Sequence, residues 1–96
     1  MLIVITYDVN CESAEGRARL RKISKECTNY GQRVQNSVFE CYIQHGTYLK
    51  LKDRLLKIYD DKYDSIRFYI MGNKWIEHIE HYGIKQSYNP EEALII

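Results

Sequence analysis

From Leu2 to Val9 the chain runs LIVITYDV, β-branched and aliphatic with no helical period. Such a run predicts a central strand buried on both faces, and Asp8 interrupts it near its end. Ser13 then offers an N-cap, and Leu20, Ile23, Cys27 and Tyr30 recur at three- and four-residue intervals as one apolar helical face. Gly31 is placed to end that helix. From Gln32 to Ile43 Val, Phe, Tyr and Ile are frequent, but the alternation changes phase around Gln35, Asn36 and Ser37. That predicts a short strand, a tight reversal and a longer strand. Gly46 and Thr47 open a second helical pattern in which Tyr48, Leu51, Leu55 and Ile58 or Tyr59 face inward, and Asp60 and Asp61 close it. Ser65 to Met71 alternates Ile66, Phe68 and Ile70 against Arg67, Tyr69 and Met71, a strand with two distinct faces. Gly72 and Asn73 read as a turn and Trp75 to Tyr82 as an edge strand. The apolar Leu94, Ile95 and Ile96 after Pro90 need somewhere to dock.

The order β-α-β-β-α-β with an additional strand predicts an α+β, ferredoxin-like sandwich, both helices on one face of an antiparallel sheet. Residues 1–96 read as a single domain, with those after about 74 forming the extra strand and a tail. The other sheet face is left bare, which makes it a binding platform or a dimer interface. Size points the same way, because 96 residues bury only a modest core.

Composition removes several classes. With 45% hydrophobic and 28% charged residues, one Pro and five Gly, the chain is globular rather than disordered. No basic segment precedes the first apolar run, and that run is too short to span a bilayer, so a cytoplasmic location without membrane contact is expected. Cys11, Cys27 and Cys41 form neither a disulfide framework nor a CxxC metal site and read as packing residues. A Gly-rich phosphate loop, a GxSxG elbow, a HExxH pair and a dinucleotide fingerprint are all missing from the sequence.

Three features could carry chemistry. Asp8 at a strand end suits either of two roles: capping the following helix or accepting loop hydrogen bonds, or ligating a hard cation such as Mg²⁺, which needs only one or two carboxylates. If the chain dimerises with Asp8 near the two-fold axis, two carboxylates would face each other and a divalent cation would relieve their repulsion. The net charge of +1 hides a local excess: Arg17, Arg19, Arg21, Lys22 and Lys25 stand against only Glu15 and Glu26 between Ser13 and Tyr30. Their spacing makes two adjoining stripes away from the apolar face, either a solvated surface or a contact for a nucleic-acid backbone. The third is HIEH, whose His78 and His81 would share a helix face but point to opposite faces of the predicted strand, which argues against a metal site there.

Taken in order, MLIVITYDVN, the basic helix run RARLRKI, GQRVQNSVFEC, and the late RFYIMGN followed by EHYG resemble the smaller of the two core CRISPR spacer-acquisition proteins. The resemblance covers almost the whole chain. It implies a ferredoxin-like homodimer in which Asp8 lies at the interface and binds a catalytic Mg²⁺ or Mn²⁺, with Tyr7 bordering that site. It further implies that Arg17, Arg19, Arg21 and Arg33 face nucleic acid, that Phe39 belongs to the interface region, and that the C-terminal tail crosses to the partner subunit. The implied function is CRISPR adaptation: binding duplex prespacer DNA with the integrase subunit, together with metal-dependent endonuclease activity on DNA or single-stranded RNA. Two other readings remain open on sequence. One is a stand-alone toxin-type endoribonuclease of the same fold. The other is a non-catalytic nucleic-acid-binding or regulatory module, although the aromatic pair of an RNA-recognition sheet is not evident.

Overall fold

The computed structural model describes residues 1–72 and 76–84, with only the backbone for Ile76. Its elements are β1 (Leu2–Asp8), α1 (Ala14–Tyr30), β2 (Gln32–Gln35), β3 (Val38–Tyr42), α2 (His45–Ile58), β4 (Ser65–Met71) and β5 (Ile76–Gly83). The expected element order holds throughout. Trp75 and Asn73, and the tail with Leu94, Ile95 and Ile96, lie outside the described residues.

The strands form one sheet in the order β2-β3-β1-β4-β5, with every neighbouring pair antiparallel. This is the ferredoxin-like arrangement with β5 added beside β4. The phase change near Gln35 has two causes: a tight turn at Asn36 and Ser37, and a register shift between Arg33 and Gln35.

The core lies between the helices and one sheet face. Ile3, Ile5 and Tyr7 of β1, Phe39 and Cys41 of β3, and Ile66 and Phe68 of β4 meet Ile23 and Cys27 of α1 and Tyr48, Leu51 and Leu55 of α2. Residues of β1 alternate, so Leu2, Val4 and Thr6 are only half-buried on the opposite face. The expectation that β1 is buried on both faces is therefore met on the helix side alone.

Helix α1 begins where the Ser13 hydroxyl accepts a hydrogen bond from the Gly16 amide at 3.0 Å, a cap worth about 1 kcal/mol. It ends at Gly31, whose amide bonds the Cys27 carbonyl at 2.9 Å. Gly31 has φ −157°, an extended conformation open to any residue. Glycine is needed there because of proximity: a Cβ would lie 2.4 Å from both the Cys41 sulfur and the Glu40 carbonyl oxygen. Gly83 is different, with φ +99° and a Cβ position only 2.1 Å from the Asp64 carbonyl oxygen.

Candidate functional site

Asp8 ends β1 on the sheet face away from the helices, opposite Ser65 of β4. It is exposed, so the strand end does not bury its carboxylate within one chain. The helix cap belongs to Ser13. Strand alternation puts Leu2, Val4 and Thr6 beside Asp8 on this face, with Val38, Glu40 and Tyr42 of β3 and Arg67, Tyr69 and Met71 of β4 opposite them. Among the described residues no group of three or more His, Cys, Asp or Glu could hold a metal ion.

Consecutive residues on a strand point to opposite faces, and the structure does not bring Tyr7 to Asp8. Tyr7 is buried in the core, its ring stacked on Phe39 with centroids 6.2 Å apart. Its hydroxyl sits 2.8 Å from the Ser24 hydroxyl of α1 and donates to the Asn36 carbonyl at 3.3 Å. Burial raises the phenol above its ordinary value, and the contact with Ser24 offsets only part of that. Tyr7 is placed as a strut between the sheet and α1. Phe39, expected near an interface, is fully buried and roofed by the Arg33 guanidinium 5.2 Å from its ring centroid. Arg33 stands on the exposed edge strand β2.

On α1, Arg17, Arg21, Lys22 and Lys25 are exposed. Arg17 also donates to the Cys11 carbonyl at 3.2 Å. Arg19 is placed differently. Its Nε lies 2.7 Å from Asp64 Oδ2 and its Nη2 3.3 Å from Asp64 Oδ1, a bidentate pair. Asp64, in the loop before β4, is fully buried and also accepts the amides of Asn10 at 3.0 Å and Asp60 at 2.9 Å. Burial alone would raise its carboxyl, but Arg19 and the two amides outweigh it and hold the group below its ordinary value. Among the described residues the fully buried carboxylate is thus Asp64, which strand and helix periodicity do not single out. Its only trace in the sequence is an acidic residue at the mouth of an alternating strand.

The His78 and His81 side chains fall on opposite faces of β5, as the alternation predicts. On the helix side, Glu80 accepts from Tyr48 Oη at 2.5 Å and Lys52 Nζ at 3.1 Å, and His78 Nε2 lies 3.2 Å from its other oxygen. On the Asp8 side, Arg67 points its Nε and Nη2 at His81 Nδ1, 3.1 and 2.8 Å away. Arginine only donates, so Nδ1 is the acceptor and the His81 proton sits on Nε2, 2.8 Å from the Ile84 carbonyl oxygen. Arg67 is a nearly buried cation on the same face as Asp8, diagonal to it across the β1–β4 ladder. The sequence placed Arg67 with Tyr69 and Met71 on one face of a strand without assigning it a role.

The bare sheet face, the carboxylate ending the central strand and the basic first helix belong to a small α+β protein of the ferredoxin-like class. Comparison with known proteins narrows it. The family model of CRISPR associated protein Cas2 matches residues 1–79. A CRISPR-associated endoribonuclease Cas2 of Chlorobaculum tepidum is 50% identical over 96 residues, the full length of both chains. A CRISPR-associated endonuclease Cas2 of Halalkalibacterium halodurans is 48% identical over 95 residues, 99% of each chain. The crystal structure of Streptococcus pyogenes Cas2 at pH 6.5 superposes with TM-score 0.72 at 53% identity, covering 78% of this chain and 90% of that one. The chain belongs to the CRISPR-associated Cas2 family. Among the described residues no helix is long and apolar enough to cross a membrane.

Proposed function

We propose that the protein works in CRISPR adaptation as a homodimer that binds duplex DNA with the integrase subunit and hydrolyses phosphodiesters at an Asp8-bound Mg²⁺ or Mn²⁺. The observation that carries the catalytic part is Asp8 itself, exposed at the carboxyl end of the central strand on the uncovered sheet face. Relatives named endoribonuclease and endonuclease support the same chemistry and leave both RNA and DNA as substrates. A stand-alone toxin has less support, because the whole chain matches CRISPR-associated proteins.

Dimerisation is supported by the half-buried Leu2, Val4, Tyr69 and Met71 on the bare face, which a second copy would cover. One carboxylate per chain, completed by water and by the partner's copy, is a donor set that a hard cation accepts. When bound, the cation would supply positive charge against the scissile phosphate. Asp8 would hold and orient it. Arg17 and Arg21, exposed on α1, would grip the phosphate backbone, while Arg19 would act on that surface only indirectly, through its pair with Asp64. Tyr7 would serve Asp8 through the β1 backbone.

The test compares Asp8→Ala with the unaltered protein on single-stranded RNA and on duplex DNA, with Mg²⁺, with Mn²⁺ and with chelator. Cleavage that vanishes in the variant and in chelator is expected. Unchanged cleavage by Asp8→Ala refutes the catalytic part and leaves a DNA-holding role, read by salt-dependent duplex binding and co-elution with the integrase.

A further inference from the structure

Asp64 stands where four elements converge. Its carboxylate is fully buried and collects the Arg19 fork from α1, the Asn10 amide from the corner after β1, and the Asp60 amide from the end of α2. Its own carbonyl accepts the Ile84 amide at 3.1 Å, just beyond β5. Both carboxylate oxygens accept two donors, so the group is saturated and its position fixed from several directions.

The chain it fixes is the one that carries Asp8. Asn10 follows Asp8 by two residues, and Ser65, which follows Asp64 directly, is the register partner of Asp8 across the β1–β4 ladder. The strand end bearing Asp8 is thus held on one side by a ladder starting at residue 65 and beyond its tip by the Asp64 carboxylate. The Asp64 carbonyl also lies so near Gly83 of β5 that a Cβ there would meet its oxygen at 2.1 Å.

We infer that Asp64, held by Arg19, is a positioning residue for the Asp8 carboxylate, setting where the strand end presents its oxygens to a divalent cation. The inference rests on the reading of Asp8 as a metal ligand. A buried pair could instead serve stability alone, and the two roles differ in what they do to metal affinity at equal stability. Groups that orient a ligand without touching the metal typically change its affinity about 10- to 100-fold when altered.

The experiment uses the full chain and Mn²⁺ as the probe, with binding read by the loss of free-Mn²⁺ paramagnetic signal and amide hydrogen exchange followed at Val9 and Asn10. Asp64→Asn is expected to weaken Mn²⁺ binding about tenfold or more and to speed exchange at those two amides beyond the change in global stability. Leu51→Ala, a core change within α2 that touches none of the Asp64 hydrogen bonds, is the control for lost stability and is expected to leave Mn²⁺ affinity within about twofold, an effect small beside that expected of Asp64→Asn. Should Asp64→Asn fail to fold, Arg19→Lys keeps the charge but loses the fork, and a smaller weakening in the same direction is expected. Mn²⁺ affinity unchanged in Asp64→Asn, or in Arg19→Lys where that variant replaces it, overturns the inference, as does an equal loss in Leu51→Ala. If Asp8→Ala binds Mn²⁺ as tightly as the unaltered protein, the metal reading itself has failed and takes the inference with it. A silent Asp64→Asn beside a crippled Asp8→Ala refutes the positioning role alone.

Discussion

Tyr7→Phe separates a strut from a catalyst. The substitution deletes one oxygen and leaves the ring stacked on Phe39, so the core keeps its volume. What is lost is the 2.8 Å contact with Ser24 and the longer 3.3 Å bond to the Asn36 carbonyl. Ser24 is half-buried and Asn36 exposed, so water replaces part of the deficit. The cost should lie near the middle of the range for one neutral hydrogen bond, about 1 kcal/mol, or roughly 4–8 °C in melting temperature for a domain of this size. Urea denaturation followed by circular dichroism, at one fixed protein concentration because subunit association would shift the midpoint, measures it. The alkaline limb supplies a second signature. Burial raises the folded phenol above its ordinary 10.0, so its contribution is complete below pH 10 and is lost as pH rises through the folded value. The phenylalanine variant should lose less stability than the parent over that window. Cleavage by the folded variant should stay within a few-fold of the parent. If stability is unchanged while cleavage falls by about 10²-fold, the scale of a lost proton-transfer group, the strut reading is wrong and the phenol takes part in the chemistry.

Gly31→Ala drives a Cβ into the Cys41 sulfur and Glu40 carbonyl and should cost about 1–3 kcal/mol by overpacking, measured by the same denaturation. Ser13→Ala should cost about 1 kcal/mol, read as a lower helix-unfolding midpoint. Burial pushes Cys27 up to about 12 and Cys41 up to about 11, so at pH 8 a disulfide exchange reagent should titrate exposed Cys11 quickly and all three thiols only after denaturation. Asp64 is held below its ordinary 3.8, so its contribution is present above that pH and lost as pH falls through the folded value; Asp64→Asn should flatten this acid limb.

Most of the architecture is written in local patterns. Ser13, the Leu20 to Tyr30 stripe and the alternation of Ile66 and Phe68 each act through neighbours a few residues away, and the elements appear where those patterns put them. Gly31 is a partial case: its position at the helix end is legible, but its reason is the approach of β3, a contact between distant segments. The site is less legible because its decisive contacts are all long-range. Arg19 looks like its neighbours in RARLRKI until Asp64 arrives from 45 residues away. Tyr7 and Phe39 sit inside motifs that resemble a functional family, and that resemblance puts Tyr7 beside the Asp8 site, yet the pleat sends Tyr7 to the other face. Arg67 is visible as one of the residues alternating against Ile66 and Phe68, but its fork to His81 depends on the register of β4 with β5.

The capture of Arg19 by Asp64 also sets a ceiling on how ionic strength can govern this surface. Neutralising a duplex phosphate with a cation releases condensed counterions, and binding weakens with salt in proportion to the phosphates engaged. Arg19 already spends its guanidinium on an internal carboxylate, which leaves Arg17, Arg21, Lys22 and Lys25 as the exposed cations of α1. A duplex lying along this helix would therefore show a logarithmic salt slope no steeper than about −3.6 per chain from α1, at ~0.9 per phosphate. Steepness beyond that would have to come from other elements, with Arg33 on the edge strand the nearest in kind.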